Sequence, residues 1–89
     1  MSIRISVQIC SYNRKHLLER SLRALMAQDL PQDQYEIVFV DDGSTDGSAD
    51  MARALAAEGG CRIKVFSKPN DGLSRARNLG IRNCDGEII

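Results

Sequence analysis

Two consecutive aspartates, Asp41-Asp42, follow the apolar run Ile37-Val38-Phe39-Val40 and precede the polar stretch Gly43-Ser44-Thr45-Asp46-Gly47. An ionised aspartate accepts hydrogen bonds and donates none, so a carboxylate placed here can pair with a donor N–H on a bound base or sugar. Successive strand side chains point to opposite faces, so one of the pair can reach a ligand while the other caps the loop or the following helix. Tyr12, in Cys10-Ser11-Tyr12-Asn13-Arg14, is placed either to stack on a base or to pack over a sheet edge. Ser74-Arg75-Ala76-Arg77-Asn78 sets two cations near an expected helix N-terminus, where backbone N–H groups also favour an anion. A solvated helical face accounts for those arginines equally well.

Other chemistries fail on their spacing. Asp42 to Gly47 imitates the first half of an EF-hand loop, but its twelfth position is Arg53, a cation where the ion needs an anion. No G-x-G-x-x-G follows the first apolar segment and no G-K-[ST] occurs, which removes the usual dinucleotide fold and the P-loop. His16 is the only histidine and lacks an orienting neighbour, so it reads as a surface or capping residue. Cys10, Cys61 and Cys84 are odd in number and contain no C-x-x-C, which excludes a structural zinc site and reads as free thiols in a reducing compartment.

At 89 residues the chain allows one small domain, and a chain so short buries only about 60% of the surface its unfolded state exposes. Its 43% hydrophobic and 27% charged residues are those of a folded domain. Twelve basic residues balance twelve acidic ones, and the aromatics are Tyr12, Tyr35, Phe39 and Phe66, so nucleic acid is not an expected partner. The start, Met-Ser-Ile-Arg-Ile-Ser, carries no apolar signal core, and Ile37-Val38-Phe39-Val40 falls far below the ~20 residues of a membrane span. A soluble, cytoplasmic chain is expected.

The elements that must carry these residues follow from periodicity. Ile3, Ile5, Val7 and Ile9 alternate with polar residues as a strand, and Asn13 is the expected N-cap of a helix over 14–28 with Leu18, Leu22, Leu25 and Met26 inward. Pro31 closes it with a turn, and residues 35–40 read as a strand buried on both faces. A loop over 41–47, an alanine-rich helix over 48–58 ended by Gly59-Gly60, and a strand over 62–66 come next. A loop over 68–72, a helix over 74–84 and the opening of a strand over 87–89 complete the series. The order is a Rossmann-like βαβαβαβ α/β fold, a parallel sheet with helices on both faces. Such sheets bind ligands outside the carboxyl ends of their strands. That places the loops 10–14 and 41–47 at the site, with the loop ending near Gly72 as a third wall.

In combination the chain resembles the N-terminal half of a family 2 glycosyltransferase with the GT-A fold. The matching stretches are Ile5 to Arg14, Tyr35 to Asp46, Asn70-x-Gly72 with Ala76-Arg77-Asn78 and Gly80, and Gly86-Glu87-Ile88-Ile89. The resemblance implies binding of a nucleoside-diphosphate sugar, commonly a UDP-sugar, by Cys10, Ser11, Tyr12, Asp41, Asp42 and Arg77. Tyr12 and the backbone near Cys10 and Ser11 would lie against the base, Asp42 would accept from the uracil N–H, and Arg77 would stand near the nucleotide. The family more often has a proline-threonine or similar pair at Cys10-Ser11, which a backbone contact survives. The family pattern continues after Ile89 into an Asp-x-Asp-type motif for the divalent cation, Mn²⁺ or Mg²⁺. Residues 1–89 are therefore expected to be a single, partial nucleotide-sugar-binding domain, truncated before that motif, with no metal ligand or catalytic base and no turnover alone.

The complete enzyme would transfer sugar to an acceptor hydroxyl on a glycan or lipid-linked sugar in cell-envelope or polysaccharide synthesis, in the cytoplasm or peripheral to the inner membrane. An uncovered sheet edge allows a homo-oligomer. The alternatives are a non-catalytic nucleotide-binding module, a phosphoacceptor receiver domain, whose acidic pair normally ends the first strand, and a structural α/β fragment.

Overall fold

Ile37, Val38, Phe39 and Val40 are all fully buried, as the middle of a sheet covered on both faces requires. The computed structural model describes residues 5–27, 34–58 and 62–88, apart from the side chains of Leu73 and Ile88. The elements are β1 (Ile5–Ser11), α1 (Lys15–Met26), β2 (Tyr35–Asp42), α2 (Ser48–Ala57), β3 (Arg62–Lys68), α3 (Leu73–Arg82) and β4 (Glu87–Ile88). The strands form one parallel sheet in the order β3-β2-β1-β4.

The register sorts side chains by parity. Tyr35, Ile37 and Phe39 of β2 pack with Leu18 and Leu22 of α1 and Ala52 and Leu55 of α2, flanked by Ile5, Ile9, Ile63 and Val65. Each such side chain, fully buried, contributes about 1.5–3 kcal/mol. Even-numbered positions face α3. Gly80 of α3 sits so close to Gln8 of β1 that a Cβ there would lie 2.7 Å from Gln8 Nε2. Tyr35 ties α1 to β2, its hydroxyl donating to the Leu25 carbonyl at 3.0 Å and so satisfying one of the orphan acceptors of a helix end.

At the amino end of the strands lies a buried ionic cluster that the periodicity did not reveal. Glu36, fully buried, accepts from Ser6 Oγ and from the Asp85 N–H, both at 2.7 Å. Lys64 Nζ lies 3.0 Å from its Oε1, close enough for strong charge attraction although off the hydrogen-bond direction. Burial pushes the Glu36 carboxyl up, but Asp85, Ser6 and Lys64 together bring it below the usual carboxylate range. Ser6 Oγ also accepts from the Gly86 N–H at 2.9 Å. The turn from α3 into β4 is thereby fastened beneath β1 and β2.

Several boundaries differ from the sequence reading. β1 extends to Ser11, β2 to Asp42 and β3 to Lys68, so both aspartates belong to a strand and not to the loop. Pairing with Ser67 and Lys68 extends the ladder through them against their low strand propensity. α1 begins at Lys15, α2 ends at Ala57, and α3 spans Leu73–Arg82. Asn13 is not the N-cap of α1; that position is Arg14, and Asn13 adopts φ +51° to serve another loop. Ile3, Pro31, Gly59-Gly60, Cys61 and Ile89 lie outside the described residues.

Candidate functional site at the carboxyl ends of the strands

Three loops meet where β1, β2 and β3 end, and side-chain to backbone bonds lock them together. The Asn13 N–H donates to Ser44 Oγ, and Asn13 Oδ1 accepts from the Thr45 N–H, both at 2.8 Å. Asp46 accepts from the Lys15 N–H at 3.0 Å and from the Ser48 N–H at 3.1 Å, so one carboxylate serves the first turns of α1 and α2. The Ser48 hydroxyl bond holds the Asp46 carboxyl below its usual range, against the opposing effect of burial. Gly43, at φ +77°, lets the β2–α2 loop touch the β3–α3 loop: a Cβ there would lie 2.6 Å from the Asn70 nitrogen.

The aspartate pair divides between the two faces. Asp41 turns toward the α1/α2 side, where both carboxylate oxygens accept from the Ser44 N–H at 3.3 Å and brace the loop. It lines a cavity of about 630 Å³ with Ser44, Ser48, Ser67 and Lys68. Asp42 turns toward the α3 side and is 1% exposed. Its Oδ1 accepts from Lys68 Nζ at 2.6 Å, and its backbone carbonyl accepts from Asn70 Nδ2 at 2.9 Å. The Lys68 hydrogen bond draws the Asp42 carboxyl below its usual range, with burial opposing and the Asp71 N–H adding to the effect. Lys68 is raised, burial being outweighed by Asp42 and Asp71.

The remaining candidates are spread around this centre. Cys10, which is in no disulfide, and Ser11 line a separate cavity of about 260 Å³ beside α1, with Arg14 and Leu17. Ser11 and Asp41 are register partners. Tyr12 is 42% exposed just past β1. Arg77 is exposed on α3 and makes no hydrogen bond or ion pair with another described residue. The structure thus brings Ser11 beside Asp41 and turns Asp42 to the opposite face of the sheet. Sequence reasoning quoted Asn70 for the family resemblance but gave neither it nor Lys68 and Asp71 a role in the site. Extending the third strand by one alternation would have set Lys68 abreast of Asp42.

Among the described residues, no three His, Cys, Asp or Glu side chains converge as a metal site. They therefore offer no ligand set for a divalent cation.

An open parallel sheet whose polar loops converge at the carboxyl ends is the architecture of nucleotide-binding α/β proteins. Residues 6–89 match the model of glycosyl transferase family 2, and the chain belongs to that family. It is 37% identical over 87 residues to an uncharacterized glycosyltransferase of Nostoc sp., covering 98% of this chain and 26% of that protein. It is 38% identical over 91 residues to the undecaprenyl-phosphate 4-deoxy-4-formamido-L-arabinose transferase of Serratia proteamaculans, covering 97% of this chain and 27% of that one. The fold matches a mannosyltransferase from Pyrobaculum calidifontis, solved in complex with GDP-Man and Mn²⁺, at a TM-score of 0.85 and 29% identity, covering 94% of this chain and 25% of the other. The expected GT-A architecture is thus present, and the chain spans about a quarter of the length of these relatives.

Proposed function

We propose that this chain is the nucleotide-reading part of a glycosyltransferase that takes a nucleoside-diphosphate sugar, a UDP-sugar by the chemistry of Asp42. The observation that carries the reading is the Asp42 carboxylate, held ionised at the carboxyl end of the central strand and committed to donors through one oxygen. Its second oxygen takes the Asn70 amide at 3.4 Å, a long bond that a ring N–H of the base can replace. Tyr12 offers its exposed ring for stacking, and the backbone at Cys10 and Ser11 supplies the edge against which the base rests. Arg77, unpaired among the described residues, is available to the diphosphate. In the whole enzyme, an acceptor hydroxyl would attack the anomeric carbon, the glycosidic bond forming as the bond to the nucleoside diphosphate breaks, and a divalent cation, if bound, would supply charge stabilisation to that leaving group. The acceptor is a glycan or lipid-linked sugar, in keeping with the undecaprenyl-phosphate relative.

The test is a thermal-shift titration with UDP, GDP, ADP and CDP, with and without Mn²⁺. At a hundred times its dissociation constant UDP adds about 2.7 kcal/mol, a shift of roughly 10 °C or more in a domain of this size. The shift should need no Mn²⁺ and should vanish in Asp42→Ala. Equal shifts in Asp42→Ala and the parent chain would remove the assignment of the base to Asp42.

A further inference from the structure

Lys68 is the last residue of β3 and the register partner of Asp42. Its ammonium has three N–H donors, and three acceptors take them: Asp42 Oδ1 at 2.6 Å, the Pro69 carbonyl at 2.7 Å, and the Asp71 carboxylate. The Lys68 side chain is 12% exposed and that of Asp42 is 2% exposed, so the pair is shielded from bulk water. The two Asp42 oxygens are therefore unequal. Oδ1 carries Lys68 and, at 3.4 Å, the Asp71 N–H, whereas Oδ2 takes the Asn70 amide at 3.4 Å; the Gly72 N–H also bears on the carboxylate. That amide makes its shorter bond to the Asp42 backbone carbonyl and can keep it when Oδ2 takes another donor.

We propose that Lys68 is a positioning residue for the base-reading carboxylate, pinning one oxygen of Asp42 so that the other accepts a ring N–H and the site selects uracil over cytosine. The proposal rests on the nucleotide-binding reading above. Uracil presents an N–H at the ring position where cytosine presents an unprotonated nitrogen, and an anionic acceptor repels the second. A protonated carboxyl has the opposite preference, because its O–H donates. Deprived of Lys68, Asp42 is a buried carboxyl without its cation, and burial then drives it toward the neutral form. The groups bearing on it are few. Asp71 lies behind Lys68, and Arg75 of α3 approaches Asp71 at 3.7 Å. Tyr12 follows the end of β1, and the adjacent Asp41 faces the other side on Ser44.

Isothermal titration of the full chain with UDP and with CDP, from about pH 8 to about pH 5, tests this in Lys68→Met, Lys68→Gln and Lys68→Arg. In the parent chain the terminal phosphate titrates alike in UDP and CDP, so the preference for UDP over CDP keeps a level profile across the range. In Lys68→Met that preference falls about tenfold for each pH unit below the raised carboxyl value. Lys68→Gln keeps a donor without the charge and shows the same trend should the methionine variant fail to fold. Lys68→Arg restores the level profile. A level profile and parental selectivity in a folded Lys68→Met or Lys68→Gln overturn the proposal. Loss of UDP binding in Asp42→Ala alongside that result overturns only the role of Lys68, whereas parental UDP binding in Asp42→Ala overturns the nucleotide reading beneath it.

Discussion

Glu36→Gln removes one buried charge while keeping the shape of the side chain. In the parent chain the carboxylate receives Ser6 Oγ and the Asp85 N–H at 2.7 Å and faces Lys64 at 3.0 Å. Glutamine retains a carbonyl for the first two donors, but as a neutral acceptor it binds them about half as strongly. Lys64 loses one anion yet keeps the Asp85 carboxylate at 3.0 Å and the Asn83 carbonyl at 2.8 Å, so it is not stranded. With hydrogen bonds to charged groups contributing about 1.5–3 kcal/mol, the expected loss is about 2 kcal/mol. At about 4–8 °C per kcal/mol, the thermal midpoint falls by roughly 8–16 °C. Glu36→Leu leaves all these donors facing carbon and loses about 3–5 kcal/mol, close to the whole stability of a small domain.

The pH dependence has a definite sign. Glu36 is held below its ordinary value, so its contribution is complete above the unfolded glutamate value of about 4.3 and is lost as pH falls through the lower folded one. Lys64 is raised, the carboxylates of Asp85 and Glu36 outweighing its burial, so its share is present below the ordinary lysine value and fades only in strong alkali. Midpoints of parent and Glu36→Gln, measured by circular dichroism against pH, should differ most near neutrality and converge below about pH 4. A gap of the same size in acid and at neutrality, or no gap, would refute the claim that the charge holds α3 and β4 to the sheet.

Two further outcomes follow from the packing and the caps. Gly80→Ala gains about 1 kcal/mol of helix propensity but drives a methyl against Gln8, a conflict of about 1–3 kcal/mol, so alone it should destabilise. In a Gln8→Ala background, which removes the obstruction and a buried Nε2 without a partner among the described residues, the same change should stabilise. Urea unfolding of the four chains should give a coupling above about 0.5 kcal/mol, and simple additivity would count against the contact. Asp46→Ala removes the acceptor for the Lys15 and Ser48 N–H groups in the first turns of α1 and α2, with an expected loss of about 1–2 kcal/mol per hydrogen bond, measured by urea unfolding. Asp46→Asn should lose less, because it still accepts hydrogen bonds; equal losses would mean that the charge alone matters.

The layers of this fold were legible because they depend on local periodicity. Alternation in Ile5–Ile9, the run Ile37–Val40 and the helical spacing of Leu18, Leu22 and Leu25 each specify an element and its buried side without reference to the rest of the chain. The order of those elements then requires a parallel sheet with its loops at the carboxyl ends, so the place of the site was also written in the sequence. The opposed directions of Asp41 and Asp42 followed from strand geometry alone. Which of them is braced on Ser44 and which is paired to Lys68 depended on pairing between β2 and β3, and strand register joins residues 26 positions apart. Asn13 reads as a cap, yet it spans to Ser44 and Thr45, because the folded sheet brings two strand ends together. Glu36 looked like one polar residue in an apolar strand. Its burial is tolerable only because Ser6, Lys64 and Asp85 arrive from three other segments, and such compensation exists in the tertiary structure and nowhere in a local stretch of sequence.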